Sequence, residues 1–496
     1  MIRKFTNIKV GIELDSLLSR ESLFQGEGYK AISNCEYLLN LISIWSEQND
    51  DGWAGIHSER LKSLFRGYKL KYTEVLNILE RLEIIAPPRL GFYNRAIKKG
   101  WVSRFQLTSF GLDLLLDANR EYLRKLHNDP KLRKQLDNNR RAKKCRLPAN
   151  EDYVVRRTNQ NILDLIKNQE VYDLILRKFK EDLKNDKTRS TDRKKRRENH
   201  VHASIKSIEK REYEKIKRCK TDGRLYHPFV MMKSDFRPAF TLRGKKFLRD
   251  IDIRSCFPSF FAKYLFDITK LSEYLISNPE LEKALKSKNK ELTLELTNNS
   301  IYPNNKYYNN IYNLLTTNQP FKLLHYLGEN VTTFEEEVRK WNIFWNHPLI
   351  DPKQQIITDL GIKCSRKQIK KCINSAINGS PNKAFYWIKE NFPVLFSIWQ
   401  KTNPDETGPR ISKLYESQII LDPELFHLAE SLDLEILTSH DGICVFGSET
   451  DPELDSKAAK LRDCIQERSF RLFGLTIQVK IDEPEVPAAG TAGPTH

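Results

Sequence analysis

Residues 434–446, Leu434-Glu435-Ile436-Leu437-Thr438-Ser439-His440-Asp441-Gly442-Ile443-Cys444-Val445-Phe446, are two short apolar runs joined by a polar tip. Runs this short and this aliphatic demand a β-hairpin, with Asp441 at its turn and Gly442 permitting the bend. A lone Asp-Gly turn is more often only a turn. Leu248–Ser259, LRDIDIRSCFPS, reads as an alternating strand that delivers Asp252 at its end, after which Pro258 opens a helix over 259–265. Asp250 shares the face of Asp252 in a regular strand; it is either a helper or an unrelated surface charge.

A carboxylate at a strand end beside backbone carbonyls is half of a magnesium site, with the Ile253 carbonyl as a second oxygen. Asp441 on its hairpin tip can face Asp252 across a sheet. Two Mg²⁺ ions held by that pair, or Mn²⁺ in their place, would activate a 3′-hydroxyl and stabilise a leaving pyrophosphate. Between the aspartates lies Arg366-Lys367-Gln368-Ile369-Lys370-Lys371-Cys372-Ile373-Asn374-Ser375-Ala376-Ile377-Asn378-Gly379. Arg366, Lys370, Asn374 and Ile377 recur on one helical face, and Gly379 would end the helix. A cationic face there suits a nucleoside triphosphate; the bland reading is an ordinary solvated face. Lys371 is the alternative to Lys370 as the phosphate-binding lysine. Ahead of Asp252, Thr221-Asp222-Gly223-Arg224-Leu225-Tyr226-His227-Pro228 forms a Gly-Arg turn. It can set the Arg224 guanidinium against a phosphate or the minor-groove edge of the newest base pair.

The rest of the chain carries positive charge. Lys plus Arg exceed Asp plus Glu by 83 − 65 = 18 over 496 residues, with a pI near 9.3. A polyanion is the expected partner, nucleic acid before membrane, unless a lysine-rich proteome explains the excess. Residues 33–110 have the pattern of a winged helix-turn-helix. Helical spacing runs over 34–45, Ser58 is a good N-cap for a second helix, and a third covers Thr73–Leu82. Two β-like runs, 91–97 and 101–108, would form a wing around Lys98-Lys99-Gly100. Lys69, Lys71, Tyr72, Thr73 and Asn77 are its candidate DNA readers, and protein docking is the competing use. Residues 116–215 read as a basic helical, thumb-like region. Its runs Arg140–Arg146 and Arg193–Arg197 flank an amphipathic helix over 162–175. They would grip duplex backbone, or merely be solvated.

Eight scattered cysteines without a C-x-x-C pair indicate neither zinc nor disulfides, and so a reducing cytoplasm. No signal peptide is evident at the start, and no stretch of 18 apolar residues predicts a membrane span. The tail, 486–496, is rich in Pro, Ala and Gly and is expected to be disordered. The N-terminal half shows no carboxylate-rich nuclease pattern, so no proofreading exonuclease is expected.

In order and chemistry these pieces resemble the palm and fingers of family A DNA polymerases and the phage-type single-subunit RNA polymerases. Thr221–Leu225 is similar to their T-x-G-R-L element, Asp252 to the motif A aspartate, Arg366, Lys370 and Gly379 to motif B, and His440-Asp441 to the H-D of motif C. Phe470–Asp482 is similar to the strand closing such palms. The resemblance implies that Asp252 and Asp441 hold the metals and that Arg366 and Lys370 contact the triphosphate. Asn378 stands where motif B has an aromatic ring. Arg224, Tyr226 and His440 would lie along primer and template.

The departures are specific. Asp252–Ser259, DIRSCFPS, is closer to the family B motif A. Lys370 follows Asp252 by 370 − 252 = 118 residues, longer than family A, and precedes Asp441 by 441 − 370 = 71, which is shorter. Phe257, five residues after Asp252, occupies the position at which several palm polymerases exclude a ribose 2′-hydroxyl, or else it is a core ring. The resulting expectation is an α+β chain. A winged helix fills 1–115, a thumb-like region 116–215, and a right-hand palm and fingers 216–485. It would use two divalent ions, DNA template and primer, and triphosphates, most readily dNTPs. An RNA polymerase or primase on the same palm is the alternative, and a non-catalytic replication initiator the reading from another class.

Overall fold

The alternating apolar residues of 245–253 and the apolar runs of 435–447 are satisfied by pairing edge to edge. A computed structural model of the chain describes residues 12–25, 29–48, 51–66, 71–92, 101–144, 152–210, 216–219, 223–261, 263, 331–347, 349–377, 380–402, 407–439 and 441–484. Among these, helices and antiparallel sheet are mixed, as in an α+β chain.

The N-terminal part contains α1 (Ile12–Ser19), α2 (Ser22–Gln25), α3 (Tyr29–Gln48), β1 (Ala54–Ile56), α4 (Ser58–Leu64), α5 (Tyr72–Arg81), β2 (Arg89–Phe92) and β3 (Trp101–Phe105). The strands form a small antiparallel sheet in the order β1-β3-β2. Leu38, Ile42, Leu61, Val75, Leu79 and Phe105 fill one core beneath it. Three details differ from the sequence reading. Ser58 is the first helical residue, not the cap, because His57 holds the extended cap position. At α5 the Glu74 carboxylate accepts the Lys71 backbone N–H at 2.9 Å, which fixes the start of that helix. The strand β1 was missed, since three residues are too few to show a period. Lys69 and residues 93–100, the expected wing tip, lie outside the described residues.

Next come α6 (Ser109–Asn128), α7 (Pro130–Lys144), α8 (Tyr153–Asp164), β4 (Leu165–Lys167), α9 (Gln169–Asn185) and α10 (Thr191–Lys210). The expected helix over 162–175 is two helices. Leu165–Lys167 leave helical geometry to pair antiparallel with a strand of the main sheet, and Asn168 then caps α9 by accepting the Val171 N–H at 3.2 Å. The basic runs are also not simply a gripping surface. Arg140 pairs with Glu209 at 3.3 Å, Lys195 with Asp113 at 2.7 Å, Arg197 with Glu47 at 3.7 Å, and Lys144 with Asp164. These cations tie α7 and α10 to their neighbours. Cys145 and Arg146 lie outside the described residues.

A buried polar network joins α3, α6 and α10. The Asn119 amide donates to Asn40 at 2.8 Å and to Asn199 at 2.6 Å. Asn199 donates to Ser43 at 2.8 Å, and Lys206 pairs with Glu36 and donates to Asn119 at 3.0 Å.

The main sheet follows α11 (Pro228–Met231). It contains β5 (Phe240–Leu242), β6 (Lys245–Ile253), β7 (Glu435–Thr438), β8 (Gly442–Gly447) and β9 (Val479–Asp482), and its order is β4-β5-β6-β8-β7. The nine residues of β6 serve three partners. One edge takes β5 at Lys245–Lys246 and β9 at Asp250–Ile253; the other takes β8 throughout. A bulge between Phe247 and Arg249 divides the two halves. Helices α8, α9 and α10 share a single apolar core with this sheet.

A third, aromatic core fills a helical region between β6 and β7. It comprises α12 (Val331–Asn346), α13 (Pro352–Asp359), α14 (Arg366–Ile377), α15 (Lys383–Asn391) and α16 (Pro393–Thr402), centred on Trp341, Trp345, Trp387 and Trp399. The Trp341 ring N–H donates to the Pro258 carbonyl at 2.8 Å, tying this region to the turn after β6. The helices α17 (Thr407–Ile420) and α18 (Pro423–Ser431) lead to β7, and α19 (Leu454–Phe473) leads to β9. Among the described residues Cys35, Cys256, Cys364, Cys372, Cys444 and Cys464 are free thiols. Among the described residues no helix is long and apolar enough to cross a membrane.

Candidate active site

Period-2 alternation turns Ile251 and Ile253 into the core and Asp250 and Asp252 to the opposite face of β6. β7 and β8 pair antiparallel, and Asp441 sits at the tip between them. The Ile253 N–H donates to the Asp441 carbonyl at 2.9 Å, which fastens the tip to the end of β6. The consequence is that the Asp252 and Asp441 carboxyls come within hydrogen-bonding reach of each other, although 441 − 252 = 189 residues separate them. Burial, then the Asp441 charge, push the Asp252 carboxyl up to about 9. Asp250 is also raised, first by burial, and the Arg237 guanidinium 3.9 Å away offsets part of this. It lies within electrostatic reach of Asp441 and so belongs to the same acidic group.

Gly442 has a different purpose from the one its sequence context suggests. Its φ is not positive. A side chain there would place Cβ 2.1 Å from the Ile251 carbonyl oxygen and 2.9 Å from the Asp252 Cα. Glycine lets β8 press against β6 and brings the two aspartates together. Gly442→Ala is expected to lower stability by roughly 1–3 kcal/mol, the cost of forcing a methyl into packed backbone, as read by urea unfolding.

Lys480 borders the pair, and a further group of cations gathers around Lys353. Lys480 lies opposite Asp252 in the β6–β9 register and pairs with Asp482. Its ammonium is pushed up against the burial penalty by Asp482, Asp252 and Asp250. On the other side, Arg254 donates to the Ile350 carbonyl at 2.7 Å. Lys353, at the start of α13, is depressed by burial and by the neighbouring Lys370, Arg366 and Arg254. These four cations therefore converge near the end of β6, with Asp351 among them. Arg366 pairs with Asp351 at 2.7 Å. Lys370 and Lys371 are exposed on α14, whose Ile369, Ile373 and Ile377 are buried. Ile377 thus turns into the core, and the cationic face ends at Asn374. Asn378, Gly379 and His440 lie outside the described residues.

Arg224 does not present an open guanidinium. It is largely buried and paired with Glu416 of α17, whose carboxylate also accepts the Cys256 thiol at 3.0 Å. Burial raises Glu416 to about 7 in spite of Arg224, and Asp441 adds to the rise. Gly223 explains the close fit: its φ is +71°, and a Cβ would meet the Ser417 hydroxyl at 2.5 Å. Beside them Tyr226 is exposed, whereas His227 is buried. The His227 Nδ1 accepts the Val230 N–H, leaving Nε2 to donate to the Thr438 carbonyl at 3.1 Å. That bond braces the hairpin from behind. Phe257 is half-buried against the aromatic helical core. Lys71 and Thr73 are exposed at the start of α5, in the N-terminal part.

Sequence reasoning missed Lys480, Lys353, Arg254 and Glu416. Lys480 was accessible from the alternation of Val479, Lys480, Ile481 and Asp482. Glu416 carried a weaker signal, an acid at i−3 and i−4 from Ile419 and Ile420. Among the described residues no three His, Cys, Asp or Glu side chains are grouped to hold a metal on their own. The site offers a carboxylate pair of the sort that binds Mg²⁺ together with water and phosphate oxygens. No protein-family model matches the chain, and no curated protein matches it in sequence.

Proposed function

We propose that this chain is a template-directed nucleotidyltransferase, most readily a DNA polymerase, with the β5–β9 sheet as its palm and the aromatic helical region as its fingers. The observation that carries this reading is the Asp252–Asp441 pair at a strand end and a hairpin tip, with Lys480 opposite Asp252 and Arg254 two residues beyond it. Two carboxyls that share a proton in the absence of metal are suited to a divalent cation, which removes the repulsion. Mg²⁺ would supply Lewis acidity at the 3′-oxygen and the phosphates. The chain's own part is to hold the pair with Gly442 and the Ile253–Asp441 bond, and to neutralise a triphosphate with the cationic group. In this reading the N-terminal helices and small sheet form a winged helix presenting Lys71 and Thr73 to DNA, and helices α7–α10 stand as the thumb. The free cysteines fit a reducing, cytoplasmic setting.

The test is extension of a labelled primer on a DNA template with dNTPs or rNTPs, with Mg²⁺ or Mn²⁺, and with a no-primer control. Wild type is expected to extend; Asp252→Ala and Asp441→Ala are each expected to lose at least about 10³-fold in rate, the scale of removing preorganised charge stabilisation. A wild-type protein that extends nothing under any of these conditions leaves the non-catalytic DNA-binding reading in its place. Phe257→Ala separates the sugar question. If the ring bars a 2′-hydroxyl, the variant gains roughly 10- to 100-fold in rNTP incorporation relative to dNTPs. An unchanged ratio makes Phe257 a core ring only.

A further inference from the structure

A cavity of about 290 Å³ lies where α6, α7, β4, the start of α9 and α10 meet. Three cations line it, Arg133, Arg140 and Lys167, against two carboxylates, Asp137 and Glu209. Arg140 engages both carboxylates, at 3.4 Å and 3.3 Å. The lining therefore keeps one positive charge that no acid in it balances. Lys167 ends β4, where its backbone pairs with Phe240, and its ammonium lies 4.6 Å from the centroid of the Tyr172 ring. The Lys167 Nζ is buried, yet no hydrogen-bond acceptor among the described residues meets it. Burial holds this ammonium below its ordinary value; Glu209 and Asp173 offset part of that, and Arg133 adds to it. Arg133 is exposed at the rim, aimed by bonds to the Leu126 carbonyl at 2.9 Å and to His127 Nδ1 at 3.2 Å. The Gln169 amide donates to Asp173 at 2.9 Å, which fixes its orientation. Its carbonyl oxygen is a second buried atom with no partner among the described residues.

We propose that this cavity binds a phosphate group, held by Lys167 inside and by Arg133 at the rim. A buried ammonium without an acceptor is costly, and an anionic oxygen beside it removes that cost. The same anion stands between Lys167 and Arg133, whose charges otherwise oppose each other. Charge-assisted bonds from an ammonium and a guanidinium are a strong grip on phosphate oxygens. The Gln169 oxygen asks for a donor, and the P–OH of a singly protonated phosphate supplies one. A carboxylate ligand would leave that oxygen unmet. The volume is at the low end for ligand cavities, which suits a small anion. The inference stands apart from the polymerase reading, since the same group arrives as free phosphate or on a nucleotide strand.

The test is the melting temperature of the full-length protein titrated with inorganic phosphate in EDTA, against sodium chloride at matched ionic strength. Wild type is expected to show a saturable rise that chloride does not give. Lys167→Met and Arg133→Gln should each raise the half-saturating phosphate concentration about tenfold, the scale of one hydrogen bond to a charged group. Arg133 is exposed, so its exchange is compatible with folding, and circular dichroism verifies both variants. Lys460→Gln, exposed on α19, should leave the half-saturation as in wild type. No rise beyond chloride overturns the proposal, and so does an unaltered half-saturation in both Lys167→Met and Arg133→Gln. Equal weakening in Lys460→Gln also overturns it, because the effect is then one of net charge. Calorimetric titration of phosphate into protein saturated with dT8, with or without a 5′-phosphate, distinguishes the sources. Exclusion of phosphate by the phosphorylated strand alone assigns the cavity to a strand terminus, by both strands to backbone phosphates, and by neither to free phosphate; each keeps it a phosphate site.

Discussion

Asp252→Asn is expected to abolish nucleotide transfer and, at the same time, to make the metal-free protein more stable. In the folded chain the Asp252 carboxyl is raised from its ordinary 3.8 to about 9, by burial first and by Asp441 second. The folded state therefore holds a proton that the unfolded chain releases. The stability due to that proton is complete below about pH 4 and is lost progressively as the pH climbs toward 9. Asparagine keeps the hydrogen bond to Asp441 and has nothing to ionise. The melting temperature of the variant should exceed that of wild type by roughly 3–6 °C at pH 8, the gap closing near pH 4. Adding Mg²⁺ should raise the wild-type melting temperature and move the variant less. Calorimetry in EDTA and in Mg²⁺ over pH 4–9 reads all of this. A variant less stable than wild type at pH 8 would mean that the two carboxyls do not repel.

The second large effect is expected at Arg224, where removal of the side chain strands a carboxylate. Glu416 is fully buried, and its neighbours are the Arg224 guanidinium and the Cys256 thiol. Arg224→Ala should lower stability by about 3–5 kcal/mol, as found when one partner of a buried ion pair is lost. Glu416→Gln should cost less, since an amide accepts the same bonds with less desolvation. Arg224→Met combined with Glu416→Leu should recover most of the Arg224→Ala loss, because two apolar side chains leave no uncompensated charge. Urea unfolding of wild type, Arg224→Met, Glu416→Leu and the double variant gives the coupling directly. Additive losses would deny that the pair acts as a unit.

Strand β6 was legible because its side chains obey a two-residue period, and the hairpin because its two apolar runs are joined by a polar tip. The meeting of Asp252 with Asp441 was legible only as chemistry: two acids on strand termini are useful when adjacent. Nothing local encodes β8 lying beside β6, and that register is set by Gly442 accepting a close backbone. Arg224 was read as an open phosphate contact because its partner, Glu416, comes from a helix nearly two hundred residues away. The split at Leu165–Lys167 was missed for the same reason. Those three residues look helical until β5 offers them a ladder, and tertiary pairing then overrides the local apolar pattern. The basic runs show in sequence their density but not their partners. Adjacent cations on a helix point in several directions, and those at Arg140, Lys195 and Arg197 find acids on neighbouring helices.

The amide and ion network of Asn40, Ser43, Asn119, Asn199, Lys206 and Glu36 has a mechanical corollary. Leucine against leucine permits helices to slip by a fraction of a turn at little cost, whereas side-chain amides that donate and accept in sequence are satisfied at a single offset. Helices α3 and α10, which pack against one another, are thus indexed like the teeth of a key and hold a single register.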